Sequence, residues 1–261
     1  RRLAVFAGGW TREAATALAP EPDALSRLLD LADASLVRRE AQGETSRWSM
    51  LESVRAYARE ELLRTGEAEA VQERHAAWCL SFAREAEHGL RGAEQDVWLA
   101  RLNLEHDNLR AALRWLLDCQ QWADALELAA ALGAYWQMRG FLAEGRQWLE
   151  AALAAPPAAR ETPAGLAAMI ETGMLAWEQG DIDSSASWLQ QARALATAQG
   201  DQGGSAAVLT NLAALALHEG DLDAAEAQYR EALAIAEAIG DVERSVAATA
   251  GLGAIAHYLG D

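Results

Sequence analysis

The sequence predicts a mainly α protein: a small N-terminal domain of short helices and a hairpin, followed by an α-solenoid of 40-residue helical pairs. Three observations carry this. Gly-Asp recurs at 180–181, 200–201, 220–221, 240–241 and 260–261, each time after an Ala- and Leu-rich stretch of helical length. Residues 1–65 break that rhythm with β-type runs around a polar turn. Apolar residues make up 51% of the 261 positions, enough for an extended core and too many for a disordered chain.

In chain order, RRLAVFAGGW (1–10) predicts a short apolar helix ended by Gly8-Gly9. Thr11 is placed to cap a second helix over 12–19. Pro22-Asp23 opens a third, over 23–34, with Leu25, Leu28, Leu29 and Leu31 as its apolar side. SLVRRE and TSRWSML flank AQGE and predict a hairpin. LESVRAYAREELLRTGE then reads as a long amphipathic helix stopping at Gly66. Three short helices followed by a hairpin is the order of a winged helix, so 1–66 is read as a winged-helix-like domain. Helices over 67–87, 95–117 and 121–138 follow, and residues 67–123 bridge to the solenoid. In HDNLRAALRWLLD, Leu109, Ala112, Leu113 and Leu116 share one helical face.

From 124 to 261 the chain is read as repeats, the last one truncated. Each Gly supplies the left-handed residue that ends a helix, and each Asp caps the next helix with its carboxylate. Alternate segments match better than adjacent ones, so the unit is 40 residues: 164–203 aligns with 204–243, 124–163 precedes them, and 244–261 begins a further copy. Gly140 falls on Gly180, and Trp148 on Trp188. The stretch LTNLAALALHEGDLDAAEAQYREALAIAEAIGD (209–241) resembles the tetratricopeptide repeat. Leu209, Asn211 and Leu212 match its first helix, Gly220-Asp221 its turn, and Ala225, Tyr229 and Ala232 the small-large-small pattern of its second helix. Leu132, Gly133, Trp136 and Ala152 match in the first copy, Gly173 and Ala192 in the second, Leu252 and Gly253 in the fourth. Glu237 stands where that repeat has a proline, and the period is 40 rather than about 34. An extended second helix accounts for both departures.

Charge narrows the function. There are 39 acidic and 22 basic residues, a formal net charge of −17. Every basic residue is Arg; without Lys there is no P-loop, Schiff-base or kinase-type lysine in these residues. Residues 121–261 carry a net −13, a surface that repels nucleic acid and anionic lipid. Two cysteines, Cys79 and Cys119, make no disulfide framework and fit a reduced, cytoplasmic setting. The longest uncharged runs contain Gln, Ser, Thr, Asn and His and are not membrane spans. Both ends read as cut from a longer protein.

A second resemblance rests on RRLAVFAGGWTREAA, LLDLADASLV, RWSMLESVRAYAREELLRTGE, RHAAWCLSFAREAE, EHDNLRAALRW and RGFLAEGRQWLEAAL, in that order. The chain is similar to the region after the nucleotide-binding module in STAND-class signal-transduction ATPases, which include large ATP-binding LuxR-type transcriptional regulators. The resemblance implies an ATPase upstream of this chain, where ATP or ADP and Mg²⁺ bind, and a DNA-binding or other output domain. It implies that the winged helix packs on the ATPase and that the repeats sense an effector and assemble partners. The chain itself is expected to be no enzyme. The alternatives are a free-standing tetratricopeptide adaptor, or the sensor arm of a cyclase or kinase.

The predicted recognition helix, 23–34, carries Asp23, Asp30 and Asp33 against Arg27, the wrong charge for major-groove readout, so DNA is expected only through a domain outside this chain. Arg38, Arg39 and Arg47 on the hairpin suit DNA, an acidic surface of the ATPase, or plain solvent. His75 and Cys79 lie four apart on one helix, but two ligands make no zinc site, and core packing is the expectation. His88 and His106 have no partner readable from sequence. Trp136, Trp148 and Trp188 fall where the repeat expects large core residues. In the tetratricopeptide register Met138, Met174, Trp177, Asn211, His218, His257 and Tyr258 lie on the first-helix face that lines the groove, the candidate site for a peptide, protein or small-molecule effector. Asn211 matches the asparagine that clamps a ligand backbone, but the basic partners of a carboxylate clamp are absent. The alternative for these residues is packing between repeats and plain surface.

Overall fold

The computed structural model describes residues 1–19, 24–42 and 45–259. The chain divides into two compact units, Arg1–Ala131 and Leu132–Asp261.

In the first unit a 3-10 turn, Arg2–Val5, leads into strand β1 (Trp10–Thr11). Helices α1 (Arg12–Leu18) and α2 (Ala24–Asp33) precede the hairpin of β2 (Val37–Gln42) and β3 (Thr45–Met50). Helices α3 (Glu52–Arg64), α4 (Ala68–Leu90), α5 (Gln95–Asp118) and α6 (Trp122–Ala131) complete it. β3 is the central strand, antiparallel to both neighbours, with Trp10 opposite Trp48 and Arg39 opposite Trp48 on the other side. Thr11 caps α1 through a hydrogen bond from the Ala14 N–H, as its position suggests. The Pro22-Asp23 start of the third helix lies outside the described residues, as do the turn residues Gly43 and Glu44.

The opening segment departs from the expected apolar helix. Only one 3-10 turn forms, because the carbonyls a helix would use are claimed by distant side chains. Arg59 donates to the Ala4 carbonyl at 3.1 Å, and Arg55 to those of Phe6 and Ala7 at 3.2 and 2.8 Å. The segment then runs extended into β1. Gly9 turns it with φ +82°, and a Cβ there would fall 2.6 Å from the Trp48 carbonyl oxygen. Phe6, Trp10, Leu18, Leu28, Val37, Trp48 and Leu62 form the core beneath. α4 packs on α1, α5 and α6, and Leu109, Ala112, Leu113 and Leu116 are all buried, as their spacing predicts.

The helix expected over 121–138 is interrupted at Leu132, whose φ of −91° and ψ of −5° leave the ideal helical region. The second unit starts there: α7 (Gly133–Arg139), α8 (Leu142–Leu153), α9 (Pro157–Arg160), α10 (Pro163–Glu178), α11 (Ile182–Gln199), α12 (Gln202–Glu219), α13 (Leu222–Ile239) and α14 (Val242–Leu259). The second helices α11 and α13 each run 18 residues, the extension inferred from the period. The first copy differs. Pro156-Pro157 offers no N–H to continue α8, which stops after 12 residues.

The Gly-Asp punctuation works as its chemistry predicts. Gly140, Gly180, Gly200, Gly220 and Gly240 all have positive φ, from +67° to +81°. At the second turn the Asp181 N–H reaches the Ala176 carbonyl at 2.9 Å and the Gly180 N–H that of Trp177 at 2.7 Å, a Schellman pair; the next three turns repeat it. Each Asp then caps the following helix: Asp181, Asp201, Asp221 and Asp241 accept from the third N–H on at 3.2, 2.9, 3.0 and 3.0 Å. One dipeptide therefore ends one helix and starts the next.

Packing follows the small-against-large logic of the repeat. A Cβ on Gly173 would meet the Leu189 side chain at 2.9 Å, one on Gly145 the Trp136 ring at 2.7 Å, and one on Gly251 the Tyr229 ring at 2.3 Å. α10 packs on α7 and α8, α12 on α10 and α11, and α14 on α12 and α13. Trp136 is buried; Trp148 and Trp188, expected in the core, are only half-buried, and the Trp148 indole donates to Glu144.

Candidate functional site

The first-helix face of the second unit comes from α7, α10, α12 and α14. Glycine and alanine let these helices approach closely: a Cβ on Gly133 of α7 would fall 2.1 Å from Glu171 Oε2 of α10. With a 40-residue period, Met138, Glu178, His218 and Tyr258 occupy one register position, and Gln137, Trp177, Leu217 and His257 the position before it. Met138, His218, His257 and Tyr258 are exposed, while Met174, Trp177 and Asn211 are half-buried. Neighbouring repeats bring Trp177 and His218 together, their ring centroids 6.3 Å apart and tilted by 48°. Among the described residues no ring contact or hydrogen bond joins the other five to one another. Gln137 donates to Glu178 Oε1 at 3.2 Å, next to Trp177 in sequence.

The first unit holds a polar cluster that spacing rules passed over. Arg47 of β3 pairs with Glu105 of α5 at 2.5 Å, and both side chains are nearly buried. The same guanidinium donates to the carbonyls of Leu104, Gly8 and Gly9 at 2.6, 2.9 and 3.2 Å. Asn108, fully buried one turn beyond Glu105, donates to Glu105 Oε2 at 2.6 Å and to the Gly9 carbonyl at 2.9 Å, and accepts from the Ala7 N–H at 2.8 Å. Three side chains and four backbone groups thus tie hairpin, opening segment and α5 into one knot. The only sequence signal was Glu105-x-x-Asn108 inside an otherwise apolar helix face.

The knot changes the reading of the hairpin arginines. Arg47 is neither solvated nor free for a partner. Arg39 donates to Ser46 at 2.9 Å and lies 5.6 Å from the Trp48 ring centroid. Arg38 is exposed.

His75 and Cys79 lie in the core, with the Phe6 ring edge-on to His75 at 5.1 Å and Cys79 Sγ 3.8 Å from His75 Nε2. Burial lowers the His75 pKa to about 4, against a hydrogen bond to Asn108 that favours the charged ring. Burial, with the Glu105 charge nearby, holds the Cys79 thiol well above its ordinary value. A neutral imidazole beside an un-ionised thiol is a packing arrangement. Among the described residues no group of three or more His, Cys, Asp and Glu side chains is placed to hold a metal ion, and no helix is long and apolar enough to cross a membrane.

No protein-family model matches the chain. One protein of Mycobacterium bovis and two of Mycobacterium tuberculosis, each named as an HTH-type transcriptional regulator, are 38% identical to it over 159 residues. Among solved structures, a STAND protein with a tetratricopeptide repeat sensor from Pyrococcus horikoshii overlaps 98% of this chain and 46% of its own, at 16% identity and a TM-score of 0.47. BtubC of P. vanneervenii overlaps 72% of this chain and 92% of its own, at 16% identity and 0.44. PilW, a type IV pilus biogenesis factor, overlaps 75% and 89%, at 18% identity and 0.40. The match to the mycobacterial proteins takes in 59% of this chain and 18% of their length, so the chain spans less than a fifth of the curated relatives it resembles.

Proposed function

We propose that this chain is the regulatory and sensor region of a STAND-type, ATP-dependent transcriptional regulator, acting in the cytoplasm. The observation that carries this reading is the Trp177–His218 pair on the first-helix face of the repeats, an aromatic docking point next to the Glu178 carboxylate. The 38% identity to proteins named as HTH-type regulators supports the regulatory assignment. In the first unit the order turn, strand, two helices, two strands supports a winged helix. The Arg47–Glu105–Asn108 knot makes that element a rigid body with α5 rather than a loose DNA reader.

On this reading a partner or effector occupies the repeat face and shifts the equilibrium of an ATPase module that precedes Arg1 in the parent protein. A ligand shifts such an equilibrium only through different contacts in its two states. DNA is contacted by a separate output domain. The test is to sequence the parent reading frame on both sides of this region. A Gly-rich P-loop with its lysine upstream and an output domain at one end support the switch. A start codon immediately before Arg1 with no nucleotide-binding module leaves a repeat adaptor and removes ATP from the account.

A further inference from the structure

The repeat face has a charge character that its apolar residues conceal. α10 and α12, which supply most of it, contain Glu171, Glu178 and Glu219 and no arginine. Glu178 and Glu219 are exposed at the same end of their helices as Trp177 and His218. Arginines of the second unit are committed elsewhere: Arg146 to Glu150 and Asp181, Arg230 to Glu226, Arg244 to Asp241. Arg193 lies on the second helix α11, Arg160 on α9, and Arg139 in the last turn of α7, at the edge of the face. An anionic partner would meet the exposed carboxylates of Glu178 and Glu219 beside Trp177 and His218. A cationic one would meet an indole, two carboxylates and no arginine on α10 or α12.

We infer that the occupant of this face is an arginine-bearing peptide segment. A guanidinium is planar and weakly hydrated, so it stacks on an indole while its edge N–H groups reach carboxylates. The first unit contains the stacking half of that geometry: the Arg101 guanidinium carbon lies 3.9 Å from the centroid of Trp98 and 5.3 Å from that of Phe82. Trp177 is half-buried, which fixes its ring, with Glu178 next in sequence and His218 beside it. Glu219 extends the negative edge one repeat further, and Tyr258 extends the ring surface at the register position of His218. An extended peptide with arginines alternating with small residues follows such a row. This inference rests on the reading of the face as the docking surface.

The test measures fluorescence anisotropy of a labelled peptide alternating arginine and alanine, with this chain, at low salt. Counterparts carry citrulline or glutamate in place of arginine. The proposal expects the arginine peptide to bind and the citrulline peptide, of the same shape without charge, to bind about tenfold more weakly, a difference of about 1.4 kcal/mol. It expects a loss of similar size in the variant with Trp177→Ala and His218→Ala, and in the variant with Glu178→Gln and Glu219→Gln, whose exposed substitutions leave the fold intact. Equal binding of the arginine and citrulline peptides, or preference for the glutamate peptide, lost in the Trp177 and His218 variant, overturns the arginine assignment and keeps the face. Arginine-peptide binding unchanged in both variants, or no binding of any peptide, overturns the assignment and the face together.

Discussion

Arg47 and Glu105, 58 residues apart, form a 2.5 Å ion pair whose side chains are 11% and 4% exposed. Such a pair is stable only because its remaining valences are filled: three carbonyls for the guanidinium, the Asn108 amide for the carboxylate. Desolvating two charges costs about as much as their attraction returns, so the pair contributes registry more than net stability.

Removing one partner should therefore cost far more than removing both. Glu105→Gln or Arg47→Ala is expected to destabilise the first unit by about 3–5 kcal/mol. Replacing Arg47 by Met and Glu105 by Leu together should cost clearly less than the sum of the singles. Urea unfolding of the four proteins, followed by tryptophan fluorescence, measures this. Additive losses would show that the two side chains act independently.

Acid should weaken the first unit through His75. Its folded pKa is about 4 against an ordinary 6.5, because burial opposes the charged ring. Above 6.5 both states are neutral and the group contributes nothing to the pH dependence. Between 6.5 and about 4 the unfolded chain binds a proton that the folded one excludes, so stability falls as pH falls across that window. Below about 4 the loss levels off, at about 3 kcal/mol. His75→Phe should flatten this part of the profile in chemical denaturation between pH 7 and pH 4. An unchanged slope would place the acid sensitivity elsewhere.

Three glycines of the repeats should respond differently to alanine. Gly220 has open space around its Cβ position but a φ of +81°, so Gly220→Ala should cost about 1–2 kcal/mol through backbone conformation alone. Gly253 also faces open space, inside α14 and with ordinary helical φ, so Gly253→Ala should stabilise the helix by about 0.8 kcal/mol. Gly251, two residues earlier, would drive a methyl into the Tyr229 ring at 2.3 Å, and its substitution should be the most disruptive. Thermal melting by circular dichroism orders the three; a destabilised Gly253→Ala would mean that its face is covered.

The repeats were legible because everything that defines them is local. A glycine ends a helix by its own φ, an aspartate caps the next with its own carboxylate, and the Gly-Asp period sets the unit before any packing is considered. The hairpin and the buried face of α5 were equally readable from alternation and helical spacing. The register also put Trp177 and His218 on one face, because 41 residues is one repeat and one position. Their ring contact, and the charge around it, needed the helices to be stacked. The first ten residues were the opposite case. Their apolar run reads as a helix, and they form one 3-10 turn and a strand because Arg55, Arg59 and Asn108 take their backbone groups. Those partners lie 48 to 101 residues away, a distance no periodicity reports. Within the Gly-Asp repeats, sequence alone determined where helices start and stop, since capping and left-handed glycine act within a turn. Tertiary structure decided which buried charges meet, since a carboxylate and a guanidinium leave water only where the whole fold completes their hydrogen bonds.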